Sequence, residues 1–194
     1  HCFTTSINYN DEEANTTREK TTMIKKILPL SALLLSTAIF ANQPAAVDKQ
    51  SCNKLSGTTK PFILILSADD DLLTSIADCA KDAKLLGASI SALGQLHNPT
   101  LAYFTSNPKD KPTLTTFDGY YELASLNGNI AKNENGYYTH AHATLANKKF
   151  DGIAGHVDNA KVGLTVEVTI IPLSATLQRA VNPETGFGPI VTDK

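Results

Sequence analysis

His140 and His142, in Thr139-His140-Ala141-His142, and His156, in Ala154-Gly155-His156, are the residues of this chain best suited to chemistry. On a β-strand, side chains two positions apart leave the same face, so His140 and His142 project together and can reach one ion. The third imidazole comes from across a turn. If the chain reverses within Asn147 to Gly152, with the turn centred near Lys149, His156 stands opposite His142. Cross-strand Cβ atoms are then about 5 Å apart, and imidazoles at that separation can converge on a divalent transition metal, zinc being the first expectation. Imidazole suits zinc, copper, nickel and iron alike, so the spacing does not choose among them. Tyr138 alternates with the two histidines and borders the same face. The competing reading makes His140 and His142 core or interface residues, hydrogen-bonded to Thr139, Thr144 or backbone.

Two carboxylates are candidates to line such a site. Glu122 shares an alternating face with Ala124, Leu126 and Ile130. A carboxylate on an apolar side needs a partner or a proton, and a cation held by the histidines is one such partner. Glu167 points away from the apolar face of Val162, Leu164, Val166, Val168 and Ile170, and is a second candidate for lining the site. The run Asp69-Asp70-Asp71 looks like a metal cluster, but it precedes an amphipathic stretch and reads better as helix capping.

The elements that position these residues follow from periodicity. Phe62 to Leu66 reads as a buried strand. The stripe Leu72, Ile76, Cys79, Ala83, Leu86 has the spacing of a helix, which Gly87 should stop. Ser89 to Leu93 and Thr100 to Thr105 read as strands joined by a turn at His97-Asn98-Pro99, with Pro108 to Pro112 as a connection. Tyr120 to Ile130, Tyr137 to Leu145, Ile153 to Val157 and Val162 to Ile171 alternate as strands of an antiparallel meander. Pro183 and Gly186 argue against a continuous helix in the tail from Ala175. Cys52 and Cys79 could form a disulfide in an oxidising compartment, worth about 3 kcal/mol if unstrained. The place of Cys79 on the helix stripe suits a free core cysteine equally well.

The start of the chain has a different character. From Met23, the single methionine, the text is that of a secretory signal: Lys25 and Lys26, then apolar Ile27 to Phe40, then Ala41 as the cleavage residue. The expectation is upstream sequence at 1–22, a signal peptide at 23–41, an irregular lead at 42–60 and one domain at 61–194. The apolar run is too short to span a membrane, so no span is expected after cleavage, and a bacterial periplasmic or secreted location is. The 17 basic and 19 acidic residues give a net charge of −2, and Arg179 is the one arginine after Arg18. No clustered basic surface of the kind that grips nucleic acid is legible.

Four blocks carry a family resemblance: Tyr121 to Ile130, His140 to Leu145, Gly155-His156, and Arg179 with Asn182-Pro183-Glu184-Thr185-Gly186-Phe187. Together they resemble the plants-and-prokaryotes-conserved domain, from about Pro61 to the C-terminus. The resemblance implies an α+β fold, a strongly bent, barrel-like antiparallel sheet packed with one main helix, commonly assembled as a homotrimer. It also implies that His140, His142 and His156 occupy the prokaryotic members' metal-binding positions. Where the family usually has Gly-Gly-His, this chain has Ala154-Gly155-His156, and the added methyl could narrow the approach to the ion.

Three functions from different classes follow. The first is a secreted trimer whose metal site binds a small anionic ligand or serves assembly. The second is a metal-dependent lyase acting on a small keto acid, because the fold and histidine arrangement are similar to acetolactate decarboxylase. That chemistry also wants a positive side chain for the substrate carboxylate, and Lys132 or Lys161 could serve if the fold brings them close. The third is DNA binding, the usual label of the family. It is the weakest, since the chain lacks an Arg-Gly-Arg hook and carries an export signal.

Overall fold

The bent sheet exists because two strands are long enough to pair with three neighbours each. In the computed structural model, which describes residues 43–185 and 187–191, the elements are β1 (Ala46–Asp48), a 3-10 helix (Lys49–Leu55), β2 (Phe62–Ser67), α1 (Leu72–Asp82), β3 (Ala88–Tyr103), β4 (Thr113–Thr116), β5 (Tyr120–Asn133), β6 (Gly136–Ala146) and β7 (Gly152–Pro172). These belong to the unit Ala41–Lys194. The expectations for 1–22 and 23–41 lie outside the described residues.

The strand order is β1-β2-β7-β6-β5-β3-β4, and β7 pairs again with β3. That second pairing closes β3, β5, β6 and β7 into a ring. Strand β7 does this by using its first residues against β6 and the rest against β2 and β3. Where β7 changes partner, the ladder is irregular. The step from Gly94 to Leu96 on β3 faces the longer step from Val166 to Val162 on β7. Such a bulge turns side chains over. Hence Val162, Val166, Val168 and Ile170 are buried, while Leu164, expected on the same face, is 71% exposed.

Other boundaries also depart from the sequence reading, each for a local reason. Helix α1 ends at Asp82, before Gly87, because Lys84 takes a left-handed backbone with φ 53°. The turn expected at His97-Asn98-Pro99 is absorbed into β3 as an irregularity at Asn98, where φ is 49°. The segment before Phe62 is ordered: Val47, Cys52 and Leu55 are buried, and β1 runs parallel to β2. Cys52 and Cys79 are joined in a disulfide that ties the 3-10 helix to α1. Among the described residues, no helix is long and apolar enough to cross a membrane.

The core lies between the concave sheet and α1, where Leu64, Leu66, Leu72, Ile76, Leu96, Leu126 and Ile130 are sealed from solvent. Residues of β6 that face inward are fastened to the helical layer. The Thr139 hydroxyl donates to the Leu73 carbonyl at 3.2 Å, and the Tyr137 hydroxyl donates to the Leu85 carbonyl at 2.9 Å. These two anchors fix the roll of β6 and so the direction of its outward side chains.

Candidate metal centre

The histidines occupy the outward face of β6 and β7 at the register the turn dictates. Asn147 organises the reversal: its side-chain oxygen accepts from the backbone N–H groups of Lys149 and Asp151, and Phe150 takes the left-handed conformation. The consequence is that His142 and His156 are direct cross-strand partners. His140 is offset by one outward position on β6, and the ring centroids form a near-equilateral triangle: 5.3 Å for His140–His142, 4.9 Å for His140–His156 and 5.2 Å for His142–His156. One nitrogen from each lies within 4.8 Å of the others. Tetrahedral coordination at about 2.05 Å places ligand nitrogens about 3.4 Å apart, a gap that small side-chain rotations close.

The histidines line the wall of a cavity of about 580 Å³, well within the few-hundred to one-thousand Å³ span of small-molecule sites. His140 and His156 are half-buried and His142 is exposed. Loss of solvent, the adjacent Arg179 guanidinium and the other two imidazoles push His140 down to about 4. His156 is likewise held below its ordinary value, chiefly by burial and by His142. Both are therefore neutral near pH 7, the state in which imidazole offers a lone pair to a metal. Three imidazoles fit a divalent ion and would leave coordination positions open toward the cavity.

Arg179 is the side chain that sequence spacing did not bring here. After Pro172 the chain folds back along the end of β5: the Lys132 backbone N–H donates to the Leu177 carbonyl, and the Arg179 backbone N–H donates to the Lys132 carbonyl, each at 2.8 Å. This lays the guanidinium beside the histidines. Its Nη2 contacts the Asn129 side-chain oxygen at 3.0 Å and His140 Nδ1 at 2.9 Å, and its Nη1 donates to the Gly188 carbonyl at 2.8 Å. The Tyr138 ring lies 5.6 Å from the guanidinium carbon. Nε is buried with no hydrogen-bond partner. Phe104, whose ring meets His156 edge-on at 5.3 Å, and Phe187 complete the cavity wall.

Several expected neighbours stand elsewhere. Glu122 is exposed and accepts from the Gln95 side chain at 3.1 Å, because a bulge between Leu123 and Ser125 puts Leu123, not Glu122, on the buried face. Glu167 lies on the outer surface beside Ile63, Ser91 and Leu93. Neither lines the histidine cavity, whereas Tyr138 does. Lys132 sits over the Tyr137 ring and Lys161 pairs with Asp71 at 3.9 Å, so neither supplies the positive group. Ala154 is exposed and does not line the cavity, so its methyl leaves the approach to the histidines open.

A family model described as the Plants and Prokaryotes Conserved (PCC) domain matches residues 54–174. Among solved structures, a plant- and prokaryote-conserved protein from Pyrococcus horikoshii is 25% identical, with a TM-score of 0.63, covering 70% of this chain and 93% of its own. A metal-containing protein from Archaeoglobus fulgidus is 26% identical, with a TM-score of 0.62, covering 69% of this chain and 94% of its own. A protein from Ralstonia eutropha JMP134, provisionally named as DNA-binding, is 25% identical, with a TM-score of 0.61, covering 68% of this chain and 90% of its own. No curated protein matches the chain.

Proposed function

The chain belongs to the Plants and Prokaryotes Conserved domain family, and within it we propose that His140, His142 and His156 bind a divalent transition metal, zinc first, whose open side receives a small anionic ligand. The observation that carries this reading is the convergence of three imidazole nitrogens, within 4.8 Å of one another, on a cavity that also holds a guanidinium. The metal-containing relative from Archaeoglobus fulgidus supports it. A bound ion would supply Lewis acidity toward an oxygen of the ligand. The protein's own groups do the rest: Arg179 supplies positive charge, Phe104 and Phe187 shield one side from water, and the β6 anchors on α1 hold the imidazoles in place.

Two further parts of the proposal concern setting. Leu93 and Leu164, 58% and 71% exposed on the outer sheet surface, support self-association into the family's trimer. The signal-like text from Met23 to Ala41 supports export. DNA binding draws no support from a chain of net charge −2.

Cobalt titration tests the metal reading. Visible absorption bands of a low-coordinate nitrogen-ligated ion should saturate near one equivalent and be lost in His142→Ala. Featureless titration of the native protein would count against it. Arg179 also favours a second reading, a metal-dependent lyase for a small keto acid, because it provides the positive group that this chemistry needs. Metal-dependent release of carbon dioxide from a 2-keto or acetohydroxy acid would establish it.

A further inference from the structure

We infer that Arg179 is a carboxylate receptor held in reserve by His140, and that metal binding at His140 releases it. The inference rests on the metal reading above and concerns what loading the site does to a neighbouring residue. Arginine has only donors, so in the contact between Arg179 Nη2 and His140 Nδ1 at 2.9 Å the imidazole nitrogen must be the acceptor. A neutral imidazole has one nitrogen lone pair of this kind. If Nδ1 gives it to Arg179, the proton sits on Nε2 and neither nitrogen is free for a metal. Ligation through Nδ1 displaces Arg179 directly. Ligation through Nε2 moves the proton to Nδ1, which then faces an arginine donor with another donor. Either way one guanidinium N–H loses its acceptor when the metal arrives.

That released donor joins one already without a partner. Nε of Arg179 is buried and unpaired, alone in this respect among the side-chain atoms of the described residues. A buried donor without an acceptor costs free energy until something supplies one. Two of the remaining donors stay fixed by Asn129 and Gly188, so the guanidinium is held in place while Nε and one Nη2 N–H lack an acceptor. A carboxylate matches such a fork with two parallel hydrogen bonds, and its charge offsets part of the positive charge that the guanidinium and the ion place together. The cavity has apolar walls at Phe104, Tyr138 and Phe187. A carboxylate carrying a flat apolar group therefore fits better than a bare inorganic anion.

The test uses the full chain with zinc and phenylacetate as probes, reading zinc affinity by competition with a chromophoric chelator and phenylacetate affinity by calorimetry. Phenylacetate should bind the zinc-loaded protein at least tenfold more tightly than the metal-free protein, and should raise zinc affinity by the same factor, since coupling between two sites is reciprocal. Arg179→Met should weaken phenylacetate at least tenfold while binding zinc more tightly than native protein does without carboxylate, because the competitor for the His140 lone pair is gone. Phe187→Ala, at an exposed position, should weaken phenylacetate but leave acetate unchanged. Phenylacetate binding that survives Arg179→Met, or zinc affinity lowered by it in a variant that melts as the native does, would overturn the inference. Zinc that fails to bind native protein would instead overturn the metal reading on which it rests.

Discussion

Two clusters of metal-ligand residue types among the described residues meet opposite fates. At the Asp69-Asp70-Asp71 corner two of the three carboxylates are engaged within the fold: Asp71 caps α1 by accepting from the Thr74 N–H at 3.0 Å, and Asp70 accepts from Lys49 and from the Ser67 N–H at 2.9 Å. Asp69 sits in a left-handed turn with φ 68°. At the histidine pocket, three rings converge and the contact made by a ring nitrogen is with Arg179, a donor that a metal can replace. Residue types alone do not distinguish the two corners. What does is whether the fold consumes the lone pairs or leaves them facing a cavity.

The largest test of that contrast is affinity for metal. His142→Ala should weaken zinc by more than 100-fold, beyond the roughly 10–100-fold typical of outer-shell partners, whereas Asp70→Asn should leave it unchanged. Equal effects, read by chelator competition, would erase the distinction. Next comes Gly128→Ala on β5, where a Cβ would lie 2.1 Å from the His140 carbonyl oxygen and 2.9 Å from the Ala141 Cα. Backbone cannot yield as a side-chain tip can, so destabilisation should reach about 3 kcal/mol or more in urea unfolding. Less than about 1 kcal/mol there would mean that β5 does not press on the strand carrying His140 and His142.

The two corners should also separate in pH. His140 in the folded protein lies at about 4, below its ordinary 6.5. Between those values the unfolded chain binds more protons, so metal-free protein gains stability as pH rises through this window and loses it on acidification. For Asp70, burial acts to raise the value, but the Lys49 and Ser67 contacts outweigh it and hold it below 3.8. Its contribution is therefore present above 3.8 and lost only at lower pH. Urea midpoints measured across pH should show two legs, and His140→Ala should make the upper one shallower, with His156 keeping part of it, and leave the lower one unchanged. An unchanged upper leg would assign it elsewhere. The smallest effect belongs to Asp71→Ala, which should cost about 1 kcal/mol through loss of the helix cap, with no change in bound metal.

Much of this contrast was legible in the residues. Period-2 spacing put His140 and His142 on one face, the turn at Asn147 to Gly152 set His156 across from His142, and the acid run before an amphipathic stretch announced a cap. The bent sheet and its helix followed from alternation and the family resemblance. Features that depend on irregular backbone were not legible. Bulges expose Leu164 and Glu122 by shifting which residues face inward, and no periodicity announces a bulge. Arg179 reaches the pocket through isolated bridges, Lys132 to Gln178 and Arg179 to Ile190, in a tail without repeating pattern. Its signals were scarcity, as the one arginine after Arg18, and its place in the fourth block of the family resemblance, and neither set it beside His140.

The most direct test of the central claim is elemental analysis of the protein purified without chelator or affinity metal, beside the His140→Ala, His142→Ala double variant and the Asp70→Asn variant. Near-stoichiometric divalent metal is expected in the native protein and in Asp70→Asn, and none in the double variant. Metal absent from native protein after exposure to zinc, or retained in full by the double variant, would contradict it.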